Sequence, residues 1–200
     1  MNIQTQALIH EKLRGEALIN RHSTIARGIH WFTACSILVL AILGFWMTER
    51  AVANLWDSLT NTLYEWHKLI GFTVLLLTIF RFILKMKSKT PAYPNSTSPF
   101  VVKVASVVHY TLYGLLLIVP LLGWAGVTAY PALITVGGYS LPIMPGIPKN
   151  EAIAKQLFQI HGLLAMTLLA IALLHVMAAL NHLIIKRDGI FQRIWFADKK

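Results

Sequence analysis

Residues 159–180 read QIHGLLAMTLLAIALLHVMAAL, and how this stretch is read decides the fold. It holds no Asp, Glu, Lys or Arg. As a helix rising about 1.5 Å per residue it would cross the roughly 30 Å hydrocarbon core of a bilayer. Yet it keeps two imidazoles, His161 and His175, fourteen residues apart. Fourteen steps of about 100° fall some 40° short of four turns, so both rings share one helix face, about 21 Å apart in depth.

The rest of the chain has the same character. Apolar residues make up 56% of its 200 residues and charged residues only 13%, whereas a soluble domain of this size would expose more charge. Four spans are expected, over residues 29–48, 67–85, 104–126 and 158–184. Each should be a helix, because a lone span in lipid must satisfy its own backbone hydrogen bonds. The fold class expected is therefore all-α, an integral membrane four-helix bundle. Pro120 removes a backbone donor from the third span and should bend it. Residues 1–27 are expected to form a polar leader, 28–196 the transmembrane domain and 197–200 a short tail. No apolar run with a cleavage site precedes Gly28, so no cleaved signal peptide is expected. The connection SKTPAYPNSTSP reads as a turn-rich loop. Cys35, the single cysteine, is expected to be a small buried residue rather than a reactive thiol.

The net charge of +10 first suggests nucleic acid, but its distribution argues against it. With four spans both termini share a side with the loop between the second and third. That side holds fourteen of the eighteen Lys and Arg residues, and the other only Arg50, Lys68, Lys149 and Lys155. The positive-inside rule then places both termini in the cytoplasm. Contact with anionic lipid head groups accounts for the basic excess, and no nucleic-acid partner is expected.

Depth can now be assigned to each histidine. His30 opens the first span near the cytoplasmic face, and His67 and His161 open the second and fourth at the outer face. His175 returns to the depth of His30. Two depth-matched pairs suit two haems, each iron taking an axial nitrogen from either side; imidazole suits iron, and axial ligation is a main lever on haem potential. With both axial positions filled, the remaining chemistry is one-electron transfer. A lone histidine in a span can simply hydrogen-bond to a neighbouring helix, but ionisable groups are costly there, and four matched in depth share a purpose. Zinc fits less well, since helical zinc ligands cluster within one turn and no carboxylate or thiol joins either pair.

Other residues leave alternatives open. Arg81, fourteen residues after His67, either pairs with haem propionates through its planar fork or snorkels to the interface. His109 lies near the cytoplasmic level and is a rival ligand, or else a propionate or quinone-site residue. His182, seven residues past His175, is a candidate proton-exchanging group at a quinone site or a solvated interfacial histidine. His10 and His22 read as surface residues. Gly71, Gly114, Gly123 and Gly162 offer room for a flat macrocycle or for close helix packing.

The segments GIHW, WHKLIGFTVLLLTIFRF, VVHYTLYGLLLIVPLLGW and IHGLLAMTLLAIALLHVMAALNHLIIKRDG, in that order, resemble the bacterial cytochrome b561 family. That family is similar to the membrane cytochrome b subunits of nickel hydrogenases and formate dehydrogenases. The resemblance covers about residues 22–196 and implies a bundle in the bacterial inner membrane carrying two b-type haems. Position by position it matches His30, His67, His161 and His175 to the axial ligands, in the pairs His30–His175 and His67–His161. It places Arg81 and His109 near the cytoplasmic haem. It further implies ubiquinone as the electron pool and superoxide as one outer donor. The connection from about Val127 to Leu157, with its GGYSLPIMPGIP, looks individual and is expected to cover the outer haem.

The reading is a di-haem electron-transfer protein and oxidoreductase, passing electrons between an outer donor, small or a redox partner protein, and a quinone. Arg50, Lys68, Lys149 and Lys155 are candidates for steering an anion. Two other classes remain: a membrane-anchoring subunit relaying electrons for a separate dehydrogenase or hydrogenase, and a transporter using the same histidines.

Overall fold

The computed structural model describes residues 21–87, 97–130, 135–136, 139–140 and 142–196. Helix α1 spans Thr24–Val52, α2 Ser58–Lys87, α3 Pro99–Ala129 and α4 Glu151–Asn181. All four are long and apolar enough to cross a membrane, which makes the chain an all-α membrane bundle. Residues 1–20 of the expected leader, His10 among them, the loop residues 88–96 and the tail 197–200 lie outside the described residues.

The helices outrun the apolar spans because polar residues cap them beyond the hydrocarbon. Ser23 accepts from the Ala26 amide at 3.3 Å to start α1, four residues ahead of the expected domain boundary. Asn150 accepts from the Ile153 amide at 3.1 Å to start α4. Pro99 opens α3, where its missing amide is no loss. Helix α3 continues through Pro120, which deprives only the carbonyl of Leu116 of its usual donor.

A short connection joins α1 to α2 through a polar knot. Arg50 donates to Asp57 at 2.5 Å and to the Thr60 hydroxyl at 2.8 Å, and that hydroxyl donates to the Leu55 carbonyl at 2.6 Å. Arg50 is therefore a structural residue, and Lys155 pairs with Glu151 at 2.9 Å. Of the four outer cations considered for steering an anion, these two are committed to carboxylates. Asp57 is held down to about 2 by the Thr60 amide and Arg50.

Helix α1 packs on α2, α2 on α3, and α3 on α4. The core is one apolar layer of Val74, Leu115, Leu116 and Leu168, wrapped by Ile37, Leu40, Ile70, Leu112, Leu164 and Ile171. Leu168 lies seven residues from both His161 and His175, and Val74 seven from both His67 and Arg81. The core is thus a slab at mid-depth with a polar level on either side. Outside it, large apolar side chains such as Leu38, Phe45, Leu163 and Leu173 face outward, as lipid allows. Cys35 is among the exposed residues. The expectation of burial fails because a span's apolar residues need no protein neighbour when lipid surrounds them.

The connection between α3 and α4 folds back on the bundle. It contains a small antiparallel pair, β1 (Thr135–Val136) with β2 (Tyr139–Ser140), and β1 packs on α2. The Trp124 indole donates to the Pro142 carbonyl at 2.7 Å, the Met144 amide to the Thr128 hydroxyl at 3.0 Å, and the Asn150 amide to the Ala129 carbonyl at 2.9 Å.

At the other end, α4 widens into a π-helical turn, His182–Lys186. Arg187 and Gly189 then take positive φ, 51° and 80°, a conformation glycine adopts without strain. The chain reverses there, forms a 3-10 turn over Phe191–Arg193 and returns to the start of α1. The end of the bundle that carries this segment, with α1's start and α2's finish, is called the basic end below, and the opposite one the hairpin end.

Candidate functional site: two levels of paired imidazoles

The bundle brings His67 of α2 opposite His161 of α4, with ring centroids 6.2 Å apart and planes at 74°. It brings His30 of α1 opposite His175 of α4, at 6.4 Å and 73°. Helix α4 supplies one member of each pair from a single face, as the fourteen-residue interval dictates.

At the hairpin end each ring rests in a notch cut by glycine. A Cβ at Gly123 would lie 3.1 Å from both Cε1 and Nδ1 of His161, and one at Gly44 would lie 3.4 Å from Cε1 of His67. The absent side chains also uncover the carbonyls four residues back, Val119 and Leu40. His161 Nδ1 meets the Val119 carbonyl at 2.8 Å. A carbonyl can only accept, so Nδ1 carries the hydrogen and Nε2 keeps its lone pair. His67 is set beside the Leu40 carbonyl, although its Nδ1 makes no hydrogen bond of good geometry. Gly123 was legible as a candidate. Gly44 was not, and a glycine one turn short of the end of a span was its only signal. Gly114 and Gly162 face open space, and Gly71 only touches Leu40.

Trp124, next to Gly123, packs edge-on against Phe72 of α2 at 5.4 Å. Since its indole also holds Pro142, the connection between α3 and α4 is anchored beside the hairpin-end pair.

The basic-end level is made differently. Its rings have cations for neighbours: Arg81 acts electrostatically on His30, His109 and His175. The Arg81 guanidinium sits 5.4 Å over the Tyr113 ring, and Lys85 lies 4.3 Å over Tyr110. His109 of α3 packs on His175 at 5.1 Å between centroids. His22, read as a surface residue, is half-buried and donates its amide to the Arg193 carbonyl at 3.1 Å. Burial, then Arg81 and Arg193, lower its pKa below the usual histidine value.

His182 lies beyond this level, its side chain 14% exposed and its Nδ1 2.6 Å from Asp188. The pair borders a cavity of about 360 Å³ lined also by Thr97, Ser98, Val101 and Lys186. Sequence reading missed Asp188, because the π-helical turn and the left-handed Arg187 bring it back toward His182. Among the described residues no group of three or more His, Cys, Asp or Glu side chains could hold a metal ion.

A four-helix membrane bundle with imidazoles paired at two depths has the architecture of a membrane cytochrome b. Residues 21–197 match the family model for prokaryotic cytochrome b561, and the chain belongs to that family. It is 26% identical over 174 residues to cytochrome b561 homolog 2 of Escherichia coli strain K12, covering 87% of this chain and 90% of that protein. It is 28% identical over 180 residues to the probable superoxide oxidase CybB of Yersinia pestis, covering 87% and 95%. Cytochrome b561 homolog 1 of E. coli is 27% identical over 176 residues, covering 88% and 97%. The protein is thus a multi-pass membrane b-type cytochrome that binds haem b and works in electron transfer.

Proposed function

We propose that the chain binds two haems b, one between His67 and His161 and one between His30 and His175, and carries single electrons between a donor at the hairpin end and a quinone at the basic end. The spacing of the rings carries this reading. A metal–imidazole bond is about 2.0 Å long, to judge from zinc. A five-membered ring with edges near 1.33 Å puts each nitrogen about 1.1 Å from the centroid. Two such bonds in line therefore need centroids roughly 6.2 Å apart, and both pairs lie there. His109 and His175, at 5.1 Å, are too close, which favours a packing role for His109 beside the macrocycle. The bare Nε2 of His161 and the unpartnered Nδ1 atoms of His30 and His67 also fit, since each ring keeps hydrogen-bonding capacity the protein does not use. Bound haem supplies the one-electron relay. The apolar slab at mid-depth keeps the two levels about 21 Å apart along α4.

The quinone head group is assigned to the cavity at His182, seven residues or about 10 Å beyond His175. There the Thr97 and Ser98 hydroxyls and His182, oriented by Asp188, donate to quinone oxygens and deliver protons. Superoxide is the donor the CybB relative suggests. Two superoxide ions each give up one electron and leave as dioxygen, and one quinone takes two electrons and two protons to become quinol. With both termini cytoplasmic, as the charge bias argues, the donor side faces outward in the inner membrane.

The test is reconstitution into quinone-loaded vesicles with a superoxide source. Quinol formation matching superoxide loss at one to two supports the reading. Haem reduction only when a separate dehydrogenase is added would replace it with the membrane-anchor role.

A further inference from the structure

The segment after the last span is tied to α1 at successive points. Besides the His22–Arg193 backbone bond, the Arg27 guanidinium donates to the Trp195 carbonyl at 2.8 Å and the Trp31 indole to the Ile194 carbonyl at 3.0 Å. Trp31 and Trp195 pack edge to face at 5.3 Å, and Arg27 lies 5.5 Å from the Phe196 ring. Residues 189–196 thus form a strap across the foot of the helix that carries His30.

The strap coincides with a concentration of unsatisfied polar atoms. Among the described residues, Arg27 Nε, His30 Nδ1, Thr33 Oγ1, Gln192 Oε1 and His67 Nδ1 are buried without a hydrogen-bond partner. Besides the His30 ring, which is assigned to haem, two of these atoms lie on the first turns of α1 with a hydrogen to donate, Arg27 Nε and Thr33 Oγ1. Buried polar groups are rarely left so in a folded protein, and each calls for a ligand or a water. Arg27 is the most telling. Its Nη atoms are occupied by Trp195 and by the Thr24 hydroxyl, at 3.1 Å, so its fork is fixed in place while Nε–H still needs an acceptor. Arg27 stands one turn beyond His30, and both Arg81 and Arg193 act electrostatically on His22. The one described carboxylate on this stretch, Asp188, is engaged by His182.

We propose that the strap and the foot of α1 form an oxyanion site, centred on Arg27, that holds the carboxylates of the haem at the His30–His175 level. The proposal rests on the di-haem reading above. The same chemistry would accept a lipid phosphate, so the test separates the two sources.

The test is a redox titration of the purified, haem-loaded full chain in lipid nanodiscs, once with phosphatidylcholine alone and once with added phosphatidylglycerol. Arg27→Gln removes a positive charge that disfavours the oxidised, more positive iron, so it should lower the potential of one haem, leave the other unmoved, and do so equally in both lipids. Trp31→Phe keeps every charge and cuts only a tether. It should speed the loss of the same haem to an apo-haem acceptor protein by several-fold. A shift seen only with phosphatidylglycerol would give the site to lipid. Two haems indifferent to both variants would overturn the site while leaving the di-haem reading intact. A chain with no haem at the His30 level would overturn both.

Discussion

The two imidazole levels have nearly the same ring spacing, 6.2 and 6.4 Å, but are built from different materials. At the hairpin end the backbone orients the rings. Glycines at 44 and 123 open the helix surface, a carbonyl sets the tautomer of His161, and a pinned connection stands beside the site. At the basic end the surroundings are side chains: Arg81, Arg27, His109, and a strap whose polar atoms are left with unused capacity. One level is specified by shape and the other by charge. Substitutions at the first should therefore change occupancy, and substitutions at the second should change potential.

The largest effect expected is the complete loss of one haem. His67→Ala or His161→Ala should take the haem count from two to one while the other haem keeps its spectrum, and His30→Ala or His175→Ala should do the reverse. If His109→Ala removes a haem and His30→Ala does not, the basic-end pairing is wrong. Next in size is Gly123→Val. A branched side chain where even a Cβ stands 3.1 Å from the His161 ring must displace it, at a cost of about 1–3 kcal/mol for overpacking. Occupancy of the hairpin-end haem should fall sharply, read by haem analysis. Gly44→Ala, with 3.4 Å to the His67 ring, should do the same more weakly.

On the charge side, Arg81→Leu should lower the potential of the basic-end haem alone, measured by redox titration, without loss of haem. Asp188→Asn should leave both spectra intact and slow quinone reduction by less than the roughly hundredfold that marks the low end of a proton donor's own contribution, because Asp188 acts only through His182. The smallest effect belongs to the knot at Arg50. Asp57 has a folded pKa of about 2, below the ordinary aspartate value of 3.8. Its contribution to stability is thus fully present above the unfolded value and lost as pH falls through about 2. Thermal melts of Asp57→Asn and the parent chain should differ slightly at pH 6 and converge near pH 2.

The parts legible in the sequence were those governed by periodicity. Hydropathy located four spans, and the fourteen-residue interval with the 1.5 Å rise matched His67 to His161 and His30 to His175 in depth. What stayed hidden depended on contacts between segments far apart in the chain. Gly44 looks like any small residue in a span until His67 is laid against it. The contacts of the GIFQRIWF segment are of this kind, because its partners Arg27 and Trp31 lie more than 160 residues away. Asp188 reads as part of a charged exit, because the π-helical turn that returns it to His182 has no sequence signature. Cys35 reads as buried, because burial in protein and burial in lipid leave the same composition.

The central claim is that each imidazole pair holds a haem. A reduced-minus-oxidised visible spectrum of the purified membrane protein, with haem counted per chain, tests it most directly. The account predicts sharp six-coordinate b-type bands and two haems per chain. One haem per chain in a folded, haem-replete preparation would contradict it.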